Sequence, residues 1–135
     1  MADIEKSMRI EAPLPDVWAA LTEPEAIMGW MGDDSQVAVD LREGGRYQFF
    51  FGATTGTVTH LDPPHALAYT WRQEEWPSDW PDSIVTWQLQ PDGDATQVHL
   101  THTTFPNAAE RDGHDQGWDL YWLNPMKDWL EAHAE

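Results

Sequence analysis

The chain has 135 residues, with 24 Asp and Glu against 7 Lys and Arg, no cysteine and nine tryptophans. At this length a chain buries roughly two thirds of its unfolded surface, so a core needs no covalent staple, and the absence of cysteine removes disulfides, thiolate zinc sites, iron–sulfur clusters and thiol nucleophiles. A formal charge of −17 repels phosphate backbones and anionic lipid, which excludes nucleic acid and membrane surfaces as partners.

Residues 3–11 carry apolar side chains at Ile4, Met8 and Ile10, a partly alternating pattern that predicts a first strand. Pro13 and Pro15 suit a helix start, and Val17, Trp18 and Leu21 follow at helical spacing, giving a short helix from Pro15 to Leu21. Thr22-Glu23-Pro24-Glu25 reads as a capping box ahead of a second short helix bearing Ile27, Met28, Trp30 and Met31.

From Ser35 to Phe105 the period is that of strands. Val37, Val39 and Leu41 alternate, Gly44-Gly45 turns the chain, and Tyr47, Phe49 and Phe51 alternate with Arg46, Gln48 and Phe50. Gly52 to Gly56 reads as a turn into Thr57–Leu61, and Asp62-Pro63-Pro64 as another, before Leu67, Tyr69 and Trp71. An acidic loop from Glu74 to Asp82 holds Trp76 and Trp80. Val85, Trp87 and Leu89 follow, then the turn Pro91-Asp92-Gly93-Asp94, then Val98, Leu100 and His102 on one face. Such short connections imply an antiparallel meander of about seven strands, long enough to curl. Trp118, Trp122, Pro125/Met126, Trp129 and His133 then share one face of a terminal amphipathic helix; Pro125 either kinks it, the preferred reading, or restarts it with Asn124 as cap and Pro125 in the first turn.

A strand, two short helices, a long antiparallel meander and a terminal helix make physical sense if the curled sheet grips that helix, giving an α+β domain over residues 1–135. The layout resembles the helix-grip fold of the START / Bet v 1-like superfamily, also called SRPBCC. Ile10-Glu11-Ala12-Pro13, Val17-Trp18-Ala19-Ala20-Leu21-Thr22, Trp30, Glu43-Gly44-Gly45-Arg46-Tyr47, the run from Asp62 to Trp71, Leu100-Thr101-His102 and Gly117-Trp118 are similar, in order and spacing, to the subfamily named after the activator of Hsp90 ATPase homologue. Members of the superfamily bind hydrophobic ligands, sequester toxic metabolites, cyclise polyketides or act through protein contacts, so the resemblance implies a fold more than an activity. The eukaryotic Hsp90 activator has an additional N-terminal chaperone-binding domain with no counterpart in these residues, which ranks a chaperone contact last.

If the alternation holds, Tyr47, Phe49, Tyr69, Trp71, Trp87 and His102 face the concave side of the sheet. Trp118, Trp122 and Met126 face them from the helix, and Trp30 comes from the second short helix. This set is the expected lining for a small hydrophobic or aromatic ligand; whether the rings enclose a cavity or fill the core is left open. His102 is the one catalytic candidate, as a proton carrier with Tyr47 or Tyr69 in a cyclase-like or hydrolase-like site, though a buried neutral imidazole is the preferred reading.

No nucleophile elbow, phosphate loop or helical His pair is present, and His99 and His102 lie on opposite strand faces. Neither metal nor cofactor is expected, and binding is preferred to turnover. Asp33-Asp34, Glu74-Glu75 and Asp92/Asp94 read as solvated turn charges, and the Glu74–Asp82 loop as a stiff hairpin connection rather than a lid. No apolar run reaches the ~18 residues of a membrane span and Met1 to Lys6 has no leader character, so a cytoplasmic protein is expected, with a homodimer left open.

Overall fold

The computed structural model describes residues 4–32, 37–49 and 52–133. Asp33-Asp34, Ser35, Phe50 and Phe51, which the sequence placed in a turn and two strands, lie outside the described residues. Strand β1 (Ile4–Ile10) leads into α1 (Leu14–Thr22) and α2 (Pro24–Met31), each with a proline in its first turn, where a missing N–H is harmless. The capping box expected at Thr22 does not form: Glu23 ends α1 and starts α2 at once, and the Thr22 hydroxyl donates to the Trp18 carbonyl inside α1.

The sheet continues as β2 (Ala38–Val39), β3 (Arg46–Phe49), β4 (Thr54–Asp62), β5 (Ala66–Gln73), β6 (Ser83–Asp92) and β7 (Ala95–Thr103). Seven strands curve in the antiparallel order β1-β7-β6-β5-β4-β3-β2. The chain's first strand thus closes beside its last, from Ile4 opposite His102 to Ile10 opposite Thr96. The Gly93-Asp94 hairpin is tighter than expected, because Pro91 stays in β6 opposite Thr96 and Gly93 alone takes a positive φ of 64°.

Strand β4 begins three residues before the expected Thr57, since Gly56 is not a turn residue. It sits in mid-strand opposite Tyr47, whose ring lies over it and whose hydroxyl donates to the Thr70 carbonyl. A Cβ at Gly56 would overlap both the Thr70 carbonyl oxygen and the Tyr47 ring.

After β7, Thr104 (φ 65°) turns the chain towards Asn107, whose side chain caps α3 (Ala108–Gly117) by accepting from the Glu110 N–H at 2.9 Å. The terminal helix therefore starts well before Trp118, where its apolar pattern begins in the sequence. It widens into a π-helical turn (Trp118–Leu123) and ends as α4 (Asn124–His133). The Asn124 N–H bonds the Asp119 carbonyl five residues back, and α4 begins at Asn124 with Pro125 in its first turn, at the seam where the helix changes register. Trp118, Trp122, Leu123, Met126 and Leu130 are buried, the first two against rings of the sheet, while Leu120 and Tyr121 are exposed. Strand β1, α1 and α2 pack along α4, and Gly29 of α2 lets the Trp129 ring come close.

Substituting Gly56→Ala is expected to destabilise the protein by roughly 2–4 kcal/mol, as a lowered urea midpoint at unchanged slope, because neither the Thr70 backbone nor the hydrogen-bonded Tyr47 has room to yield.

Candidate functional site

All ten residues expected to line a ligand cavity are buried: Trp30, Tyr47, Phe49, Tyr69, Trp71, Trp87, His102, Trp118, Trp122 and Met126. Most of them touch one another. Ring centroids lie 4.7 Å apart for Tyr47–Tyr69, 5.1 Å for Phe49–Trp122, 5.4 Å for Trp30–Trp122 and 5.7 Å for Trp87–Trp118, at tilted or edge-on angles that suit aromatic packing. Beside Tyr47, Phe49 and Tyr69 the space left is about 20 Å³, enough for roughly one water molecule. At that end the sheet and helix enclose a filled core.

His102 lies at the centre of this packing and is fully buried. Its Nδ1 accepts from the Trp118 indole N–H at 3.0 Å, which fixes the proton on Nε2. Nε2–H then donates to the Ser83 hydroxyl at 2.7 Å, and that hydroxyl donates to the Trp71 carbonyl at 2.9 Å. Both ring nitrogens are thus engaged and the imidazole is neutral. Burial, with a smaller contribution from the nearby His114, pushes its pKa down to about 2. Tyr69 and Tyr47 are committed likewise. The Tyr69 hydroxyl accepts from the Trp87 indole at 2.9 Å, Tyr47 donates to Thr70, and burial raises the pKa of both phenols. Proton transfer to a ligand from His102 or Tyr47 would have to break one of these buried bonds first.

Open space lies at the other end, where α3 and the π turn part from β4 and β5. A groove of about 350 Å³ is bordered by Trp71, Trp118, Trp122 and Tyr121, by Ala109, Gly113 and Gly117 of the helix, and by the polar Thr54, Gln73, Glu75, Glu110 and His114. Only Trp71, Trp118 and Trp122 of the expected lining reach it. Thr54, Gln73, His114 and Glu110 form one network. His114 Nδ1–H donates to the Glu110 carbonyl at 2.8 Å, while its Nε2 accepts from the Trp71 indole at 3.1 Å and from the Gln73 amide at 3.3 Å. Thr54 donates to Gln73 Oε1 at 2.6 Å.

The Glu74–Asp82 loop closes one side of the groove. Buried Trp76 packs against His114 and donates its indole N–H to Glu110 Oε1 at 2.8 Å. Arg72 holds the loop's far part through the Trp80 and Pro77 carbonyls and Asp82. The loop is docked against α3 and tied to β5 by these contacts.

Two helix positions make the groove possible. A Cβ at Gly113 would meet nothing within 4 Å, and one at Gly117 would make only ordinary contact with Tyr121, so the helix surface is bare where the space lies. Sequence periodicity missed α3 because it buries no residue. The Asn107-Ala108-Ala109-Glu110 spacing was the signal that could have found it.

Comparison with known proteins matches residues 11–131 to the family model described as "Activator of Hsp90 ATPase homolog 1-like protein". An Hsp90 activator from Plasmodium falciparum superimposes with a TM-score of 0.85 at 22% identity, covering 96% of both chains. The protein CalU16 from Micromonospora echinospora gives 0.80 at 30% identity over 95% of this chain and 75% of its own. The Aha1 dimer from Colwellia psychrerythraea gives 0.80 at 22% identity over 97% of each chain. An uncharacterized protein of Schizosaccharomyces pombe is 27% identical over 77 residues, so that the chain spans about a fifth (22%) of the length of this curated relative.

Replacing His102 by Phe strands the Trp118 N–H in the core and should cost roughly 1–3 kcal/mol at neutral pH. The same variant should also flatten the pH dependence of stability. With a folded pKa near 2 and an ordinary value of 6.5, His102 binds a proton only in the unfolded chain between those values. Stability is therefore complete above about pH 6.5 and falls as pH drops below it. Urea midpoints between pH 7.5 and 5 should decline more steeply for the parent than for His102→Phe; parallel curves would contradict the assignment.

Proposed function

The chain belongs to the family of Activator of Hsp90 ATPase homolog 1-like proteins, and from that premise we propose that it binds a small hydrophobic or aromatic molecule in the groove between the curved sheet and the terminal helix. The observation that carries this reading is the groove itself, whose apolar wall of Trp71, Trp118 and Trp122 sits beside a hydrogen-bonded polar rim. An apolar surface with a few placed polar groups is the usual make-up of a small-molecule site. Binding is favoured over turnover because His102, Tyr47 and Tyr69 have their polar atoms bonded inside the core. At 22% identity the Plasmodium and Colwellia structures share the fold, and neither a chaperone contact nor a dimer is carried over from them.

Gly113→Leu tests the reading without harming the scaffold. It replaces a helical glycine by a good helix former, a gain of about 0.8 kcal/mol, and sends the side chain into the groove. A neutral, flat dye such as N-phenyl-1-naphthylamine should bind the parent saturably, and Gly113→Leu should abolish binding while melting no lower than the parent. Equal binding by both proteins would refute the site.

A further inference from the structure

Shape alone would let the groove accept an anion, a neutral molecule or a cation, but the charges around it discriminate. Glu75 and Glu110 line it, and no lysine or arginine does. The seven Lys and Arg of the chain are committed locally: Lys6, Arg9, Arg42, Arg72, Arg111 and Lys127 each face a carboxylate within 3.1 Å, and Arg46 donates to the Thr57 hydroxyl. A carboxylate or sulfonate entering the groove would meet the field of a −17 protein with no cation placed to pair with it. The one feature that would draw an anion is the N-terminus of α3. It is already occupied, since Asn107 caps the Glu110 N–H and the acidic Glu110 side chain stands in the first turn.

The same features favour positive charge. The bond from the Trp76 indole holds the Glu110 carboxylate in place at the rim, next to the ring of His114. Trp71, Trp118, Trp122 and the exposed Tyr121 supply electron-rich rings, which attract cations as well as apolar surface. Taking the groove as the ligand site, we infer that it selects a flat apolar molecule carrying a positive charge, such as a protonated aromatic amine or an aromatic quaternary ammonium. Its ring system lies along the tryptophans and its charged nitrogen lies near Glu75 and Glu110.

Three dyes of similar size separate this inference from the reading it rests on: neutral N-phenyl-1-naphthylamine, anionic 8-anilinonaphthalene-1-sulfonate and cationic 10-methylacridinium. In calorimetric titrations at physiological salt, the cation should bind about tenfold or more tightly than the neutral dye, and the anion more weakly than either. Glu110→Gln keeps an acceptor for Trp76, and with Glu75→Gln should lower cation affinity by roughly three- to tenfold while leaving the neutral dye within about twofold. Glu25→Gln, on α2 outside the groove, makes the same change in net charge as Glu110→Gln alone and should leave cation binding unaltered, whereas Gly113→Leu should abolish it. Equal affinity for cation and neutral dye overturns the charge preference and leaves the binding site standing. The preference is also overturned if Glu25→Gln matches Glu110→Gln, or if cation binding survives Gly113→Leu, since the attraction would then belong to the whole surface. Failure of all three dyes overturns the site and the preference together.

Discussion

An indole buried in a protein interior has to aim its single N–H at an acceptor, because leaving that donor bare costs more than a typical hydrogen bond returns. Of the six indoles buried among the described residues, those of Trp30, Trp71, Trp76, Trp87 and Trp118 have each found one. The acceptors are the Ala20 carbonyl, His114, Glu110, the Tyr69 hydroxyl and His102. Much of the architecture can be understood as the placement of these acceptors. His102 stands on β7 where the helix brings Trp118 down on it. Ser83 stands at the start of β6 to accept the single ring N–H, on Nε2, and pass the chain on to the Trp71 carbonyl. The helix is thereby tied to the middle of the sheet by directional bonds as well as by apolar burial, which fixes its rotation and depth.

The same requirement shapes the open end. Trp71 looks outward along the sheet to His114, and Trp76 reaches back from the loop to Glu110, so the first turns of α3 are held away from β4 and β5 by bonded side chains. With glycine at positions 113 and 117, the space between is not refilled. The core is dense where rings meet rings and open where rings meet polar acceptors. A void bounded on one side by apolar rings and on the other by a satisfied network keeps its shape without an occupant.

The outline of the fold was legible in the sequence because strand and helix periods are set by side-chain direction, which the order of residues states openly. Tyr47, Phe49, Tyr69, Trp71, Trp87 and His102 fall on one face just as their alternation requires. The departures share a cause: each turns on a particular contact that residue type and period do not state. Gly56 looks like a turn residue until Tyr47 is seen lying over it, and Thr22 looks like a cap until its hydroxyl is found bonded to Trp18. Pro125 allows a kink or a restart until the helix is seen to widen ahead of it and α4 to begin at Asn124. The groove was legible only in part. Aromatic alternation pointed at the interior, which is full, while the space lies against the polar, glycine-bearing α3 that offers no apolar period.

Four of the indoles, Trp71, Trp87, Trp118 and Trp122, stand with centroids between 4.9 and 6.2 Å apart. At such separations the electronic transitions of neighbouring rings mix, and light absorbed by one is shared among all. The near-ultraviolet dichroism of the folded chain is then a property of the cluster and of the angles between its planes. It vanishes when the rings lose their mutual order, even where the backbone keeps its helices and strands. Because three of the four border the groove, the molecule carries its own optical gauge of whether that space is occupied.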